Sequence, residues 1–72
     1  MSQEIELIDA LIEQQKKKLL EVGRQFIPNL TEEDVLQPMD YPSLEYNPHF
    51  RHEEGILAGM QTVRFALLAK VD

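Results

Sequence analysis

The residues best suited to chemistry in this chain are two histidines and three glutamates near position 50, namely Glu45, His49, His52, Glu53 and Glu54. In a helix, His49 and Glu53 would lie one turn apart on one face, and imidazole and carboxylate groups bind divalent metal ions. Di-metal helical bundles place a glutamate three residues before a histidine, and neither histidine has one here. We expect no metal or cofactor; the candidate ligands, if a site exists, are His49, His52 and Glu53.

No set of residues for nucleophilic or phosphate chemistry can be assembled from the sequence. The chain has no cysteine, Ser2 and Ser43 have no histidine near them in sequence, and no glycine-rich phosphate-binding motif occurs. We therefore predict no catalytic residues and a protein that is not an enzyme.

The charge of the chain is concentrated in its middle. The 72 residues carry 13 acids and 7 bases, for a net charge of −6, and residues 28–54 hold seven of the acids and one of the bases. Nucleic-acid binding depends on basic side chains that neutralise phosphates, so this composition argues against it. The one basic cluster, residues 16–18, would fan around a helix as a solvated face.

Neither a signal peptide nor a membrane span is expected. Glu4, Glu6 and Asp9 precede any lysine, whereas a signal peptide begins with basic residues. The longest weakly charged run, residues 55–69, is too short and too polar to cross a bilayer. These features predict a soluble protein in the cytoplasm, without membrane or nucleic-acid partners.

A heptad pattern predicts the first long helix. Apolar residues alternate at spacings of three and four, with Gln15 at the single polar position, through Ile5, Ile8, Ile12, Leu19, Val22 and Phe26. Strands cannot produce this spacing. With Ser2 as N-cap and Pro28 preventing continuation, the helix is expected over about residues 2–27, with Gly23 inside it.

The connector is expected to span about residues 28–47. Thr31 and Asp34 resemble a capping box, which predicts a short helix over about residues 32–37 that Pro38 ends. Residues 39–47 should be extended or turn-like. The connector contains enough apolar residues to pack back over the helix pair as a strap; the alternative is a strip that docks another protein.

The second long helix is expected over about residues 48–70. Asn47 is a favourable N-cap and Pro48 suits the first helical position. The side facing the first helix is predicted to contain Ile56, Met60, Val63, Leu67 and Val71, flanked by Phe50, Leu57 and Leu68. Helices of similar length favour an antiparallel hairpin, and residues 1–72 should form one domain.

A polar layer could set the register of the hairpin. If Phe26 lies level with Phe50, then Gln15 falls opposite Gln61, with Arg64 one turn away. An inward amide lowers stability but fixes register in heptad assemblies. The alternative places Gln15 at the edge of the packed face, where its amide reaches water.

Small residues line the opposite side of the second helix at spacings of four, three and four: Gly55, Gly59, Thr62 and Ala66, with Phe65 and Ala69 adjoining them. One partner helix covers only one side, and a large exposed apolar patch is rare in a soluble monomer. These six residues are therefore the predicted interface. The predicted fold is all-α: a hairpin with a proline-containing connector, pairing into a dimeric four-helix bundle. Alternatives are a higher oligomer, a different protein partner, or cover by the connector.

These patterns predict a small, non-enzymatic helical interaction or scaffold protein that self-associates through its C-terminal helix. The acidic connector is a candidate surface for a protein partner. One alternative function is a metal-binding helical bundle that uses the histidines and glutamates at the start of the second long helix. Another is an adaptor subunit that a larger protein completes.

Overall fold

Two long helices form most of the structure, a computed structural model that describes residues 3–70. They are α1 (Gln3–Arg24) and α4 (Pro48–Lys70). The connector contains α2 (Glu32–Val35), a 3₁₀ turn (Pro38–Asp40) and α3 (Pro42–Glu45). The described residues contain no strand, which confirms the predicted all-α class.

The long helices pack against each other in antiparallel directions. Along α1, Asp9 is paired with Arg64, Gln15 with Glu53, and Gly23 lies beside the ring of Phe50. Residue numbers therefore rise along one helix as they fall along the other, which confirms the predicted hairpin. The molecule measures 42 × 18 × 17 Å, so it is long and narrow.

The heptad face of α1 is buried as predicted, except at its end. The buried positions are Ile5, Ile8, Ile12, Gln15, Leu19 and Val22, whereas Phe26 is exposed. The helix ends at Arg24, and the amides of Phe26 and Ile27 both donate to the carbonyl of Gly23. The predicted end at residue 27 is therefore wrong by one turn, because the backbone turns away there. The predicted cap, Ser2, lies outside the described residues.

Gly23 lies in the last turn of α1, where the chain crosses close to the helix. A Cβ atom there would overlap the side chain of Leu30 and contact the ring of Phe50 at 3.4 Å. Leu30 is fully buried, and its carbonyl accepts a hydrogen bond from Arg24 Nε at 2.8 Å. The missing side chain of Gly23 therefore makes room for Leu30.

Capping explains why the connector contains short helices. Thr31 Oγ1 accepts from the amide of Asp34 at 3.2 Å, and the Thr31 amide donates to Asp34 Oδ2 at 3.1 Å. This confirms the capping box, but α2 ends at Val35, two residues before the predicted end. Residues 39–47 are predicted to be extended or turn-like, and the structure forms turns there. Pro38 and Pro42 each begin a helical turn, because proline lacks only an amide that this position leaves unpaired.

The connector covers part of the core, as the strap interpretation predicts. Leu30, Val35 and Leu44 are buried against the long helices. Leu36, Met39 and Tyr46 remain exposed. The strap interpretation therefore holds for only part of the apolar surface that the connector carries.

Helix α4 begins as predicted, but it is rotated from the expected orientation. Asn47 Oδ1 accepts from the amide of Phe50 at 2.9 Å, which confirms the N-cap. The buried residues of α4 are Phe50, Glu53 and Leu57. The half-buried residues include Ile56, Met60 and Leu67 from the predicted side, together with Arg64. Val63 is 49% exposed, so its predicted place on the packed side is wrong, and Val71 lies outside the described residues. The rotation brings Glu53 and Arg64 toward polar partners on α1.

The register also differs from the prediction. Gln15 lies against Glu53 and not Gln61: its Nε2 donates to the Glu53 carbonyl at 2.9 Å and to Glu53 Oε1 at 3.1 Å. Since α1 ends early, Gly23 takes the place beside Phe50 that Phe26 was expected to hold. Gln15 is buried, so the inward amide is confirmed and the water-exposed alternative is wrong.

The carboxylate of Glu53 is held in its charged form by two donors. Gln15 Nε2 is the stronger influence, Lys18 Nζ at 3.2 Å is the next, and burial acts in the opposite direction. Together they hold the pKa of Glu53 below its ordinary value of 4.5. A buried carboxylate is tolerated because both neighbours stabilise its charge.

We predict that Gly23→Ala lowers the free energy of unfolding by about 1–3 kcal/mol, because the new methyl group forces Leu30 out of its position. Gly55→Ala is the matched control. A Cβ there meets nothing within 4 Å, so alanine should stabilise the helix by about 0.5–1 kcal/mol. Urea denaturation of both variants at low protein concentration measures the difference. Equal effects of the two substitutions would contradict the close packing at Gly23.

We also predict that stability falls as the pH drops below 4.5, because the folded state lowers the pKa of Glu53 and protonation in the unfolded state then becomes favourable. The contribution of Glu53 is complete above that pH and is lost as the pH falls through its folded pKa. Glu53→Gln should therefore destabilise the protein at pH 7 and make its stability less dependent on pH between 7 and 3. The measurement is urea denaturation at each pH, with the exposed Glu13→Gln as control. A variant with the unchanged pH dependence of the parent protein would refute the role of Glu53.

Candidate self-association surface

One side of α4, here called the outer face, points away from the rest of the chain. All of its residues are exposed: Gly55, Ala58, Gly59, Thr62, Phe65, Ala66 and Ala69. At 3.6 residues per turn, Gly55, Gly59 and Ala66 lie on the side opposite Phe50 and Leu57, whereas Phe65 lies at the edge of the outer face nearest to α1. The six predicted interface residues are thus together on one exposed surface.

The chain leaves the outer face open. A Cβ atom added to Gly55 or Gly59 would meet nothing within 4 Å outside its own helix. Within residues 3–70 the connector packs on other parts of the long helices and leaves the outer face exposed. The predicted alternative, in which the connector covers this face, is therefore wrong. Thr62 Oγ1 donates to the carbonyl of Ala58 at 3.0 Å, and this leaves the hydroxyl satisfied without a partner molecule.

The outer face is also free of charge. Between residues 55 and 69 the only charged side chain is Arg64, and it turns inward to form an ion pair with Asp9. Phe65 is 73% exposed. Covering this surface would remove apolar area from water without removing water from a charged group, which is the costly part of burial.

In addition to the outer face of α4, a pair of exposed apolar residues lies on α1. Leu7 is 63% exposed, and Leu11 is also exposed. They are one turn apart and outside the buried heptad positions, so they form a short apolar strip. The pair is missing from the predicted interface, although the spacing of four between two leucines off the heptad face was a usable signal.

A cleft of about 650 Å³ opens between α1 and α4 beside the outer face. Its lining residues are Asp9, Ile12, Glu13, Lys16, Gln61, Arg64 and Phe65. The four charged residues form two ion pairs, Asp9 with Arg64 and Glu13 with Lys16 at 3.5 Å. The cleft therefore contains charged residues, but its net charge is zero. The sequence did not predict it, because it depends on the rotation and register of α4.

The acidic connector borders a second, smaller groove of about 240 Å³. Leu20, Val35, Leu36 and Leu57 provide most of its apolar lining. Tyr41, also in the connector, is half-buried. Burial raises the pKa of its hydroxyl, and the negative charge of Asp34 raises it further. The Thr31 hydrogen bonds lower the pKa of Asp34, so the capping carboxylate stays ionised. The contacts of Asp34 with Thr31 and Tyr41 therefore stabilise the connector itself.

The candidate metal ligands are not brought together. His49 and His52 are exposed, whereas Glu53 is buried and bonded to Gln15 and Lys18. Across residues 3–70, no group of three or more histidine, aspartate or glutamate side chains has an arrangement able to hold a metal ion. The geometry thus gives His49 and His52 no shared site with Glu53.

Within the part of the chain that the structure describes, neither long helix combines the length and apolar character needed to cross a membrane.

Comparison with models of protein families, with curated proteins and with solved structures finds no significant match to this chain. The candidate surface is therefore defined by its own geometry: an exposed, uncharged helix face beside a neutral cleft.

Proposed function

We propose that this chain is a non-enzymatic helical interaction protein of the cytoplasm that self-associates through the outer face of α4. The observation that carries the proposal is that this face is exposed, uncharged and without cover from its own chain. The assembly we propose is a dimer in which two hairpins form a four-helix bundle.

Energetic considerations favour such an assembly. A chain of this size buries only about 60% of the surface of its unfolded form, so one core leaves little margin of stability. Complete burial of a phenylalanine side chain contributes about 1.5–3 kcal/mol. Phe65 is exposed in the single chain, so its burial in a dimer would contribute to the free energy of association. The glycines reduce the distance at which another helix can approach, which increases the area that two backbones bury together.

A second copy is a natural occupant of the outer face. In a two-fold dimer the same surface is used on both subunits, so it must be complementary to itself. A face without charges satisfies this condition, because no like charges meet at the axis. The exposed Leu7 and Leu11 would add apolar area if α1 of each hairpin also contacts the second copy.

The acidic connector remains available in this arrangement. Leu36 is 74% exposed and Tyr46 is 79% exposed, and both lie in the segment with seven acids and one base. We include a protein partner at this connector as the secondary part of the proposal. The metal-binding alternative has no comparable support, since Glu53 is already bound within the chain.

Sedimentation equilibrium at micromolar concentration tests self-association. We expect a species of twice the chain mass of 8.4 kDa. Gly59→Leu should weaken association roughly tenfold or more, which corresponds to about 1.4 kcal/mol, because the larger side chain prevents close approach of a second helix. The substitution has open space in the single chain, so the hairpin itself should remain folded.

Gln25→Leu is the matched control. Gln25 is exposed in the turn that follows α1, so this substitution adds the same side chain at a position outside both the outer face and the Leu7 and Leu11 strip. It should leave the association constant unchanged. A parent protein that stays monomeric, or equal effects of the two leucines, would show that the outer face does not mediate assembly.

A further inference from the structure

We propose that in the dimer the cleft between α1 and α4 is filled by Phe65 of the second copy, and that the exchange is reciprocal. This inference rests on the proposed self-association and names the contact that makes it specific. Each subunit would supply one aromatic side chain and one cleft, so neither cleft is complete in a single chain.

The position of Phe65 supports a reciprocal contact. Its side chain is 73% exposed, and it belongs both to the outer face and to the edge of the cleft. Residues close to a two-fold axis contact their own symmetry mates or their neighbours. An axis passing beside Phe65 therefore brings each ring to the opening of the opposite cleft.

The lining of the cleft suits an aromatic ring. Ile12 supplies apolar contact, while Lys16 and Arg64 place cationic groups on its walls. A cation near the face of an aromatic ring is attracted by the electrons of the ring. The cleft of about 650 Å³ is large enough for a phenylalanine side chain together with part of the helix that carries it.

Charge matching favours a second copy over a charged helix from another protein. The cleft needs no net charge from its occupant, because Asp9 is paired with Arg64 and Glu13 with Lys16. The outer face of α4 presents no charge at all. Binding of a strongly acidic or basic helix would remove its charged side chains from water or disrupt these ion pairs. Binding of the outer face of a second copy requires neither change.

The connector does not compete for this position. The smaller groove lined by Val35 and Leu36 shares Glu13 and Lys16 with the cleft, so the connector borders only one end. The end beside Phe65 and Asp9 is left open. A ring from outside the chain can therefore enter the cleft without displacing the connector.

Tryptophan fluorescence provides the first test, because the natural chain contains no tryptophan. In Phe65→Trp, raising the protein concentration from below to above the dimerisation range should shift the emission to shorter wavelength. Quenching by acrylamide should fall several-fold over the same range. Leu36→Trp, at an equally exposed position on the connector, is the control and should show neither change.

Disulfide cross-linking provides the second test, since the chain has no cysteine of its own. A mixture of Phe65→Cys and Glu13→Cys chains should give a covalent heterodimer after mild oxidation. Lys17→Cys is the control for Glu13→Cys: it is exposed on the same helix but does not line the cleft. It should form several-fold less heterodimer with Phe65→Cys.

The outcomes separate this inference from the proposed function. Suppose that Gly59→Leu disrupts the dimer, but the indole of Phe65→Trp stays accessible to acrylamide and no cross-link to position 13 forms. That result would overturn the filled cleft and retain self-association through α4. A parent protein that remains monomeric would overturn both. Protection of the indole together with selective cross-linking to position 13 establishes the reciprocal contact.

Discussion

The packing of α1 against α4 is the contact on which the rest of the structure depends. Its main property is that it covers only one face of each helix. In a two-helix hairpin each long helix has one long neighbour, which can cover only one face. Helix α1 suits this arrangement because most of its remaining surface is polar. Helix α4 does not, since small and apolar residues continue around it from position 55 to 69. The exposed outer face follows directly from this difference.

Polar contacts determine which side of α4 is left uncovered. Removing a charged group from water is costly unless it is paired, so the buried Glu53 must face Gln15 and Lys18. Arg64 keeps part of its side chain in water and pairs with Asp9 at the surface. These contacts rotate α4 away from the orientation that its apolar residues alone would favour. The same rotation exposes Val63 and leaves a cleft beside Phe65. Two polar links within one chain thus shape the surface proposed to bind another.

Local signals in the sequence were sufficient to predict the helices but not their mutual arrangement. The heptad spacing of α1, the capping box at Thr31 and the N-cap at Asn47 each act within a few residues, and the structure confirms all three. The end of α1 depends on Leu30 packing against Gly23, which is a contact made after the chain turns back. The rotation of α4 depends on partners in α1 38 to 55 residues away. Periodicity contains no information about which residues of α1 pair with Glu53 and Arg64.

The three glycines differ in whether contacts within one chain explain why glycine is present. A glycine within a helix costs about 1 kcal/mol relative to alanine, so each one needs a compensating reason. Gly23 has one inside the chain, because Leu30 occupies the space of its missing side chain. Gly55 and Gly59 have neither a close neighbour nor a backbone angle that requires glycine. The helix of a second copy, as proposed above, would supply the missing reason, since it would use the space at Gly55 and Gly59 as Leu30 uses the space at Gly23.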